Sequence, residues 1–131
     1  MKVLAIDHGE ARAGLAVSDP TGTISRPLQV IRRVASPAGW QELLDLIAVE
    51  APDRVIVGDP RTLDGQQGRQ SRAAQAFADR LASTLDIPVE LQDERLTTVE
   101  ASRRKREGGS RERIDSLAAC VLLDAYLARV A

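Results

Sequence analysis

Aromatic residues and cysteine are scarce in this sequence, and each scarcity excludes a class of protein. Trp40, Phe77 and Tyr126 are the only aromatic residues, which argues against recognition of single strands by successive aromatic stacking platforms. Cys120 is the only cysteine, so an internal disulfide is impossible, and its apolar neighbours predict that it packs in the core. The chain therefore has neither a disulfide framework nor a row of base-stacking residues.

Long apolar runs and an excess of one charge are also missing. No stretch of about 18 apolar residues is present and the first strand follows Met1 directly, so we expect a cytoplasmic protein without signal peptide or membrane span. The net charge of -1 comes from 18 basic and 19 acidic residues, which argues against a nonspecific polycation. Sixteen of the basic residues are arginines, whose planar fork matches phosphate oxygens. The length of 131 residues predicts one domain over residues 1–131.

Three short apolar runs are each followed by acidic residues: Asp7 after the first, Asp59 after the second, and the Asp93-Glu94 pair after the third. Such runs are typical of strands buried in a sheet. If the strands are parallel neighbours, the acids gather at one edge, where like charges raise each other's pKa. A divalent cation removes that conflict, so the pattern predicts a metal-dependent site. For any single acid, a helix cap or turn is the alternative interpretation.

The order of the predicted elements is strand, strand, strand, helix, strand, helix, strand, helix, helix. The third strand, over residues 24–33, contains Pro27 and should therefore lie at a sheet edge. This order is that of the ribonuclease H-like α/β fold. We expect a five-stranded mixed sheet, made of an antiparallel three-strand meander and two parallel strands, flanked by helices.

Local signals place the helices. Ser36 followed by Pro37 predicts a helix start, and a polar, Gly-rich segment over residues 62–68 predicts a mobile loop before the second helix. Thr97 and Glu100 form a capping box that predicts a third helix. The core-facing stripe of the last helix is expected to comprise Ile114, Leu117, Ala118, Val121 and Leu122.

Motifs along nearly the whole chain resemble those of the YqgF/RuvX family. They are Asp7-His8-Gly9, Arg12, Gly14-Leu15-Ala16-Val17-Ser18-Asp19-Pro20, Val57-Gly58, Asp64-Gly65, Asp93-Glu94-Arg95-Leu96-Thr97-Thr98 and Asp115-Ser116-Leu117-Ala118-Ala119. The resemblance implies a ribonuclease H-like nuclease related to the Holliday junction resolvase RuvC. The substrate it implies is a structured nucleic acid, either a four-way DNA junction or the 5′ end of pre-16S ribosomal RNA.

The same resemblance implies the catalytic and metal-binding residues. Asp7 would be the central ligand, with Glu94 and Asp115 beside it, and small hard cations such as Mg²⁺ or Mn²⁺ suit their oxygens. In phosphodiester hydrolysis two such cations bridge the scissile phosphate. An acid in the first turn of a helix also complements the helix dipole, which is the alternative role for Asp115.

Two residues beside the expected ligands leave their roles open. Asp59 stands where the family usually has an apolar residue, so our hypothesis is that it is a fourth metal ligand or tunes metal affinity. The alternative is a turn residue before Pro60. His8 is the only histidine and follows Asp7, which suggests proton transfer. A packed or metal-adjacent spectator is the alternative that we favour for it.

Nucleic-acid contacts are expected from basic and hydroxyl residues near the acids. Many of these basic residues lie between Glu94 and Asp115 in sequence. The alternative interpretation is that such a charged stretch is only a solvated helix face. The candidates are Arg12, Arg61, Arg69, Arg95, Thr97, Thr98, Arg103, Arg104, Lys105, Arg106, Arg111 and Arg113.

Competing functions remain open at the level of the sequence. An actin-like or Hsp70-like ATPase shares the start of the chain but needs a second lobe and phosphate-binding motifs that this sequence lacks. A non-catalytic RNA-binding factor in ribosome assembly would keep the same fold without cleavage. Symmetric cutting of a four-way junction would require a homodimer, whereas trimming an RNA end would not.

Overall fold

Short strands and longer helices alternate in the computed structural model, which describes residues 1–60, 67–94 and 111–130, with side chains in the last range from residue 116 onward. The strands are β1 (Val3–Asp7), β2 (Arg12–Ser18), β3 (Ser25–Pro27), β4 (Ile31–Arg32), β5 (Arg54–Asp59) and β6 (Val89–Asp93). The helices are α1 (Pro37–Glu50), α2 (Arg69–Thr84) and α3 (Arg111–Val130).

One mixed sheet organises the molecule, with the strand order β3-β2-β1-β5-β6. β1 and β2, like β2 and β3, are antiparallel, whereas β5 is parallel to both β1 and β6. The expected meander followed by two parallel strands is confirmed, and the strand that contains Pro27 does lie at the edge. The carboxyl ends of β1, β5 and β6 therefore meet at one end of the sheet, which we call the carboxyl end.

The third strand departs from the prediction, because residues 24–33 form two short strands instead of one. β3 pairs with the end of β2, through Ser18 and Ser25, whereas β4 pairs with its beginning, through Arg12 and Arg32. Pro27 has no N–H to donate, so a regular ladder does not continue past it.

The two faces of the sheet carry separate cores. In β1, Leu4 and Ile6 face helices α1 and α2, whereas Val3 and Ala5 face α3. In β5, Val55 and Val57 again face α1 and α2, and Ile56 faces α3. Successive side chains of a strand alternate between the two faces. This pattern therefore determines the face to which each side chain at the carboxyl end points. We call these the α1/α2 face and the α3 face.

Helices α1 and α2 follow the prediction closely. The Ser36 hydroxyl accepts a hydrogen bond from the Gly39 N–H at 3.1 Å, and Pro37 occupies the first turn. Helix α2 buries the apolar residues Ala74, Phe77, Ala78 and Leu81.

The predicted stripe of α3 is only partly correct. Val121 and Leu122 are buried as expected, but Ala119, Leu123 and Tyr126 are buried as well, and Leu117 and Ala118 are partly exposed. The helix is apolar on several sides, so periodicity alone did not fix which side meets the sheet. Cys120 is buried, as predicted.

Two predicted segments lie wholly or partly outside the described residues. These are the helix that begins at Thr97 and most of the loop over residues 62–68. Within the described ranges, the structure contains no helix long and apolar enough to cross a membrane.

Candidate active site

The carboxyl groups of Asp7 and Glu94 meet at the carboxyl end of the sheet. Asp7 ends β1 and continues the Val3, Ala5 alternation, which places it on the α3 face. In β6, Val89 and Leu91 pack on the α1/α2 face, so the alternation brings Glu94 to the α3 face as well. A hydrogen bond links the two carboxyl groups. The structure thus brings together two of the three acids that the resemblance implied as ligands.

Gly58 makes this meeting possible, because it lies on the strand between them. It faces α3 from the middle of three parallel strands, and it pairs with Gln92 of β6. A Cβ atom at this position would overlap Glu94 Oε2 and lie 3.0 Å from Glu94 Cδ and 3.2 Å from Leu122 Cδ2. The absence of a side chain is therefore what leaves room for the Glu94 carboxyl group.

The environment of Glu94 favours its protonated form. Burial, the charge of Asp7 and the hydrogen bond with Asp7, followed by the charges of Asp59 and Asp93, raise the pKa of Glu94 to about 8. Near neutral pH the pair therefore favours one shared proton over two ionised carboxylates. This is the electrostatic conflict that the acid-ended strands predicted.

Asp59 is close to this pair but belongs to the other face of the sheet. It continues the Val55, Val57 alternation toward helix α2 and is 3% exposed. The fully buried Ser71 of α2 donates its hydroxyl proton to Asp59 Oδ1. The backbone carbonyl of Asp59 also accepts the Glu94 N–H at 3.2 Å. Sequence reasoning gave no role to Ser71, since its position on the buried side of α2 follows only from the helix phase.

His8 leaves the carboxylates and turns toward α2. Its ring centroid lies 4.7 Å from that of Phe77, with the planes tilted by 32°. Burial lowers the pKa of His8 below its ordinary value, and the charge of Glu10 opposes that effect. The side chain is thus part of an aromatic contact beside the site.

Two of the proposed phosphate contacts are described near the carboxyl end. Arg12 begins β2, the neighbour of β1, and is half-buried. Arg69 begins α2, is 85% exposed, and forms an ion pair with Glu10 at 3.3 Å. Asp19, by contrast, belongs to the β2–β3 turn, where it accepts the N–H groups of Thr23 and Ile24 at 2.8 and 3.0 Å.

The remaining candidates cannot be placed in the site. Asp115, Arg111 and Arg113 lie in helix α3, but their side chains are outside the described part. Outside the described residues altogether are Arg61, Arg95, Thr97, Thr98, Arg103, Arg104, Lys105 and Arg106. Within the described ranges, no three His, Cys, Asp or Glu side chains are arranged as a metal site. A metal ion bound by Asp7 and Glu94 would therefore need further oxygen ligands.

The pair nevertheless has the properties that a divalent cation requires. Both ligands supply carboxylate oxygens, which hard cations prefer. Glu94 is held beside another carboxylate at the expense of its ionised form, and a bound cation would relieve that repulsion. The residues present therefore fit a divalent metal ion.

The fold is ribonuclease H-like, as comparison with solved structures shows. RuvC of Thermus thermophilus, in complex with a Holliday junction substrate, superposes with a TM-score of 0.62 at 20% sequence identity, covering 99% of this chain and 96% of that chain. The fowlpox virus resolvase in complex with Holliday junction DNA gives a TM-score of 0.58 at 13% identity, covering 99% of both chains.

The chain belongs to the RuvX family, described as Holliday junction resolvases, whose sequence profile matches residues 1–129. A relative from Maridesulfovibrio salexigens is 38% identical over 134 residues, which is 98% of this chain and 99% of that protein. One from a Roseiflexus strain is 39% identical over 131 residues, 96% of this chain and 93% of that protein. Both carry the name "Putative pre-16S rRNA nuclease". The resemblance seen in the sequence is thereby confirmed.

Proposed function

We propose that this protein is a divalent-metal-dependent nuclease that hydrolyses phosphodiester bonds in structured nucleic acid. The observation that carries the proposal is the half-buried contact between Asp7 and Glu94, in which the pKa of Glu94 rises to about 8. Two carboxyl groups forced together at the carboxyl ends of parallel strands are typical of a site that receives a cation.

Asp7 and Glu94 would hold the cation through their carboxylate oxygens, with Asp115 as the third ligand. Asp115 precedes Leu122 by seven residues, close to two helical turns, and Leu122 packs beside Gly58. A bound Mg²⁺ or Mn²⁺ polarises the phosphate and lowers the pKa of water. As a ligand Glu94 would be ionised, with its proton given up to solvent. Its backbone N–H bond to the Asp59 carbonyl keeps the end of β6 in place.

For Asp59 we propose tuning of the site and not direct ligation. Ser71 already occupies Oδ1 and orients the carboxyl group toward α2. The charge of Asp59 still contributes to the raised pKa of Glu94. Asp59 would therefore strengthen cation binding by adding negative charge next to the ligands.

Phosphate contacts would come from arginines around the carboxyl end. Arg12 and Arg69 border it from β2 and α2, and the guanidinium of Arg69 is exposed. We assign the same role to the hydroxyl and basic residues after Glu94, and to Arg61. Each lost phosphate contact should weaken binding to all sequences and reduce its dependence on salt.

The substrate is proposed from the names of the relatives and the description of the family. The names of the relatives point to a nuclease that acts on pre-16S ribosomal RNA, and we propose that it processes the 5′ end in the cytoplasm. The description of the family points to resolution of Holliday junctions, which would require a homodimer to cut two strands symmetrically. Both substrates are structured nucleic acids.

The decisive experiment compares a labelled four-way DNA junction with a labelled 5′-extended 16S precursor, each with Mg²⁺ or Mn²⁺. We expect the wild type to cleave one of them, and Asp7→Asn to bind it without cleavage. The matched control is Asp53→Asn, because Asp53 is an exposed acid at the opposite end of the sheet.

The two arms separate nuclease from binding factor. Cleavage that persists in Asp7→Asn would come from another site or a contaminant and would refute the assignment. Tight binding without cleavage by the wild type, with either metal, would favour the non-catalytic assembly factor.

A further inference from the structure

A cleft of about 460 Å³ lies at the carboxyl end of the sheet on the α1/α2 face, and is lined by His8, the residue that follows Asp7. One wall is the segment after β1, which contributes His8 and Glu10, and the other is helix α2, which contributes Ala76 and Phe77. Arg80 of α2 also lines the cleft. Asp7 and Glu94 lie on the α3 face and do not line the cleft. His8 directly follows Asp7, so the cleft begins one residue away from the carboxylate pair.

The cleft is backed by most of the aromatic residues of the chain. His8 packs on Phe77, and Phe77 meets Trp40 edge to face with ring centroids 5.8 Å apart. The Arg80 guanidinium lies 3.7 Å from the centroid of the Trp40 ring. Phe77 is 5% exposed and so supports the stack from behind, whereas the half-buried His8 lines the cleft. His8, Trp40 and Phe77 are far apart in sequence, and the fold gathers them.

The chemistry of the walls selects a flat ligand with apolar faces and polar edges. Ala73, Ala76 and Phe77 supply apolar surface. Glu10 adds an acceptor beside its ion pair with Arg69, and Arg80 adds donors beside its hydrogen bond to the Ala35 carbonyl at 3.3 Å. Unstacked nucleobases are bound in this way, on aromatic or histidine rings and arginine planes. A base that remains stacked in a duplex cannot enter such a cleft, whereas an unpaired base can.

We propose that this cleft binds one unpaired nucleobase of the substrate, adjacent to the phosphodiester at Asp7 and Glu94, with His8 as its stacking platform. The proposal rests on the nuclease function proposed above, and it adds a requirement for an unpaired nucleotide near the cut. The bound base would position the neighbouring phosphate at the carboxylates.

The test is a series of substrates in which one base at a time around the cut is replaced by an abasic site. Binding is measured with Ca²⁺ in place of Mg²⁺, and cleavage separately with Mg²⁺. We expect one position where removal of the base weakens wild-type binding by about tenfold, the usual size of a stacking contact. His8→Ala should lose the same factor on the intact substrate and lose nothing further on that abasic substrate.

Two further variants separate stacking from other roles. His8→Phe should keep the sensitivity to the abasic site and most of the cleavage, because a phenyl ring stacks but transfers no proton. Ala76→Leu should fill the cleft and weaken binding, whereas Ala82→Leu, at an exposed position of the same helix outside the cleft, should not.

The outcomes distinguish this proposal from the nuclease assignment. Cleavage that depends on Asp7 without any position-specific effect of abasic sites would refute the cleft and leave the nuclease intact. A His8-dependent abasic effect without cleavage would support the cleft and refute the nuclease. Loss of cleavage in His8→Phe with unchanged binding would assign His8 to proton transfer and overturn its role as a platform.

Discussion

The two ends of the sheet use acidic residues in opposite ways. At the amino end, Arg54 of β5 pairs with Glu90 of β6 and donates to the Tyr126 hydroxyl at 2.9 Å. Glu50, at the same end, forms ion pairs with Lys2 at 3.3 Å and with Arg26 at 2.9 Å. At the carboxyl end, the groups that act on Glu94 are the acids Asp7, Asp59 and Asp93.

We infer from this difference that the amino end contributes to stability and that the carboxyl end is the proposed catalytic site. An acid that already pairs with a cationic side chain of the same protein needs no bound metal ion to balance its charge. The acid pair at the carboxyl end raises the free energy of its own ionised form, which a bound cation would lower. Natural proteins tolerate such destabilising arrangements mainly at functional sites.

Substitution of one acid at each end of the sheet should give the largest difference in cleavage rate. Glu94→Gln should reduce cleavage by more than about 100-fold, because loss of even an outer partner of a metal ligand costs about 10- to 100-fold. Glu90→Gln, at the amino end, should leave cleavage within about twofold, since surface ion pairs contribute at most about 1 kcal/mol. Initial rates of both variants at saturating metal measure this, and equal losses would contradict it.

A methyl group at Gly58 should have the next largest effect. Gly58→Ala would push the Glu94 carboxyl group away from Asp7 and crowd Leu122. We expect cleavage to fall by about 10- to 100-fold, as with other displaced metal ligands, and the free energy of unfolding by about 1–3 kcal/mol. Gly68→Ala is the control, because its Cβ would meet no atom within 4 Å. Full activity of Gly58→Ala would show that the contact with Glu94 is dispensable.

The stability of the metal-free protein should depend on the proton of Glu94. Its pKa is about 8 when folded and about 4.5 when unfolded, so the folded state binds this proton more tightly. The resulting stabilisation is complete below pH 4.5 and is lost as the pH rises through 8. Denaturant titrations should show this loss, on the order of a few kcal/mol, and Glu94→Gln should abolish it. A flat profile in the wild type would contradict the raised pKa.

The smallest effect is expected at the amino end. Arg54→Met removes the partner of Glu90 and Tyr126 and should lower the free energy of unfolding by about 1 kcal/mol, the usual value of such a hydrogen bond. Cleavage should not change, because the carboxyl end is intact. A large loss of cleavage would mean that the two ends are coupled.

The approach of Asp7 and Glu94 was easier to predict from the sequence than the space around them. Asp7 and Glu94 follow apolar strands, so the parallel arrangement of those strands was enough to bring them together. Gly58 acts through the side chain it lacks. Its role could have been suspected only by counting the strand alternation from Val55 onward.

Longer-range packing was beyond the sequence patterns. Three scattered rings suggested no stacking site, yet the fold places Trp40 and Phe77 behind His8. Likewise, the phase of α2 turned Ser71 toward Asp59, which no local signal specified. Such contacts depend on helix rotation, whereas strand ends depend only on strand direction.

The most direct test is to measure the pKa of Glu94 by carboxyl ¹³C NMR from pH 4 to 10, in the metal-free protein and again with saturating Mg²⁺. We predict a pKa of about 8 without metal, a lower value in Asp7→Asn, and ionised Glu94 across the neutral range when Mg²⁺ is bound. A metal-free pKa near 4.5, unchanged by Mg²⁺, would contradict the claim that this end of the sheet is built to receive a cation.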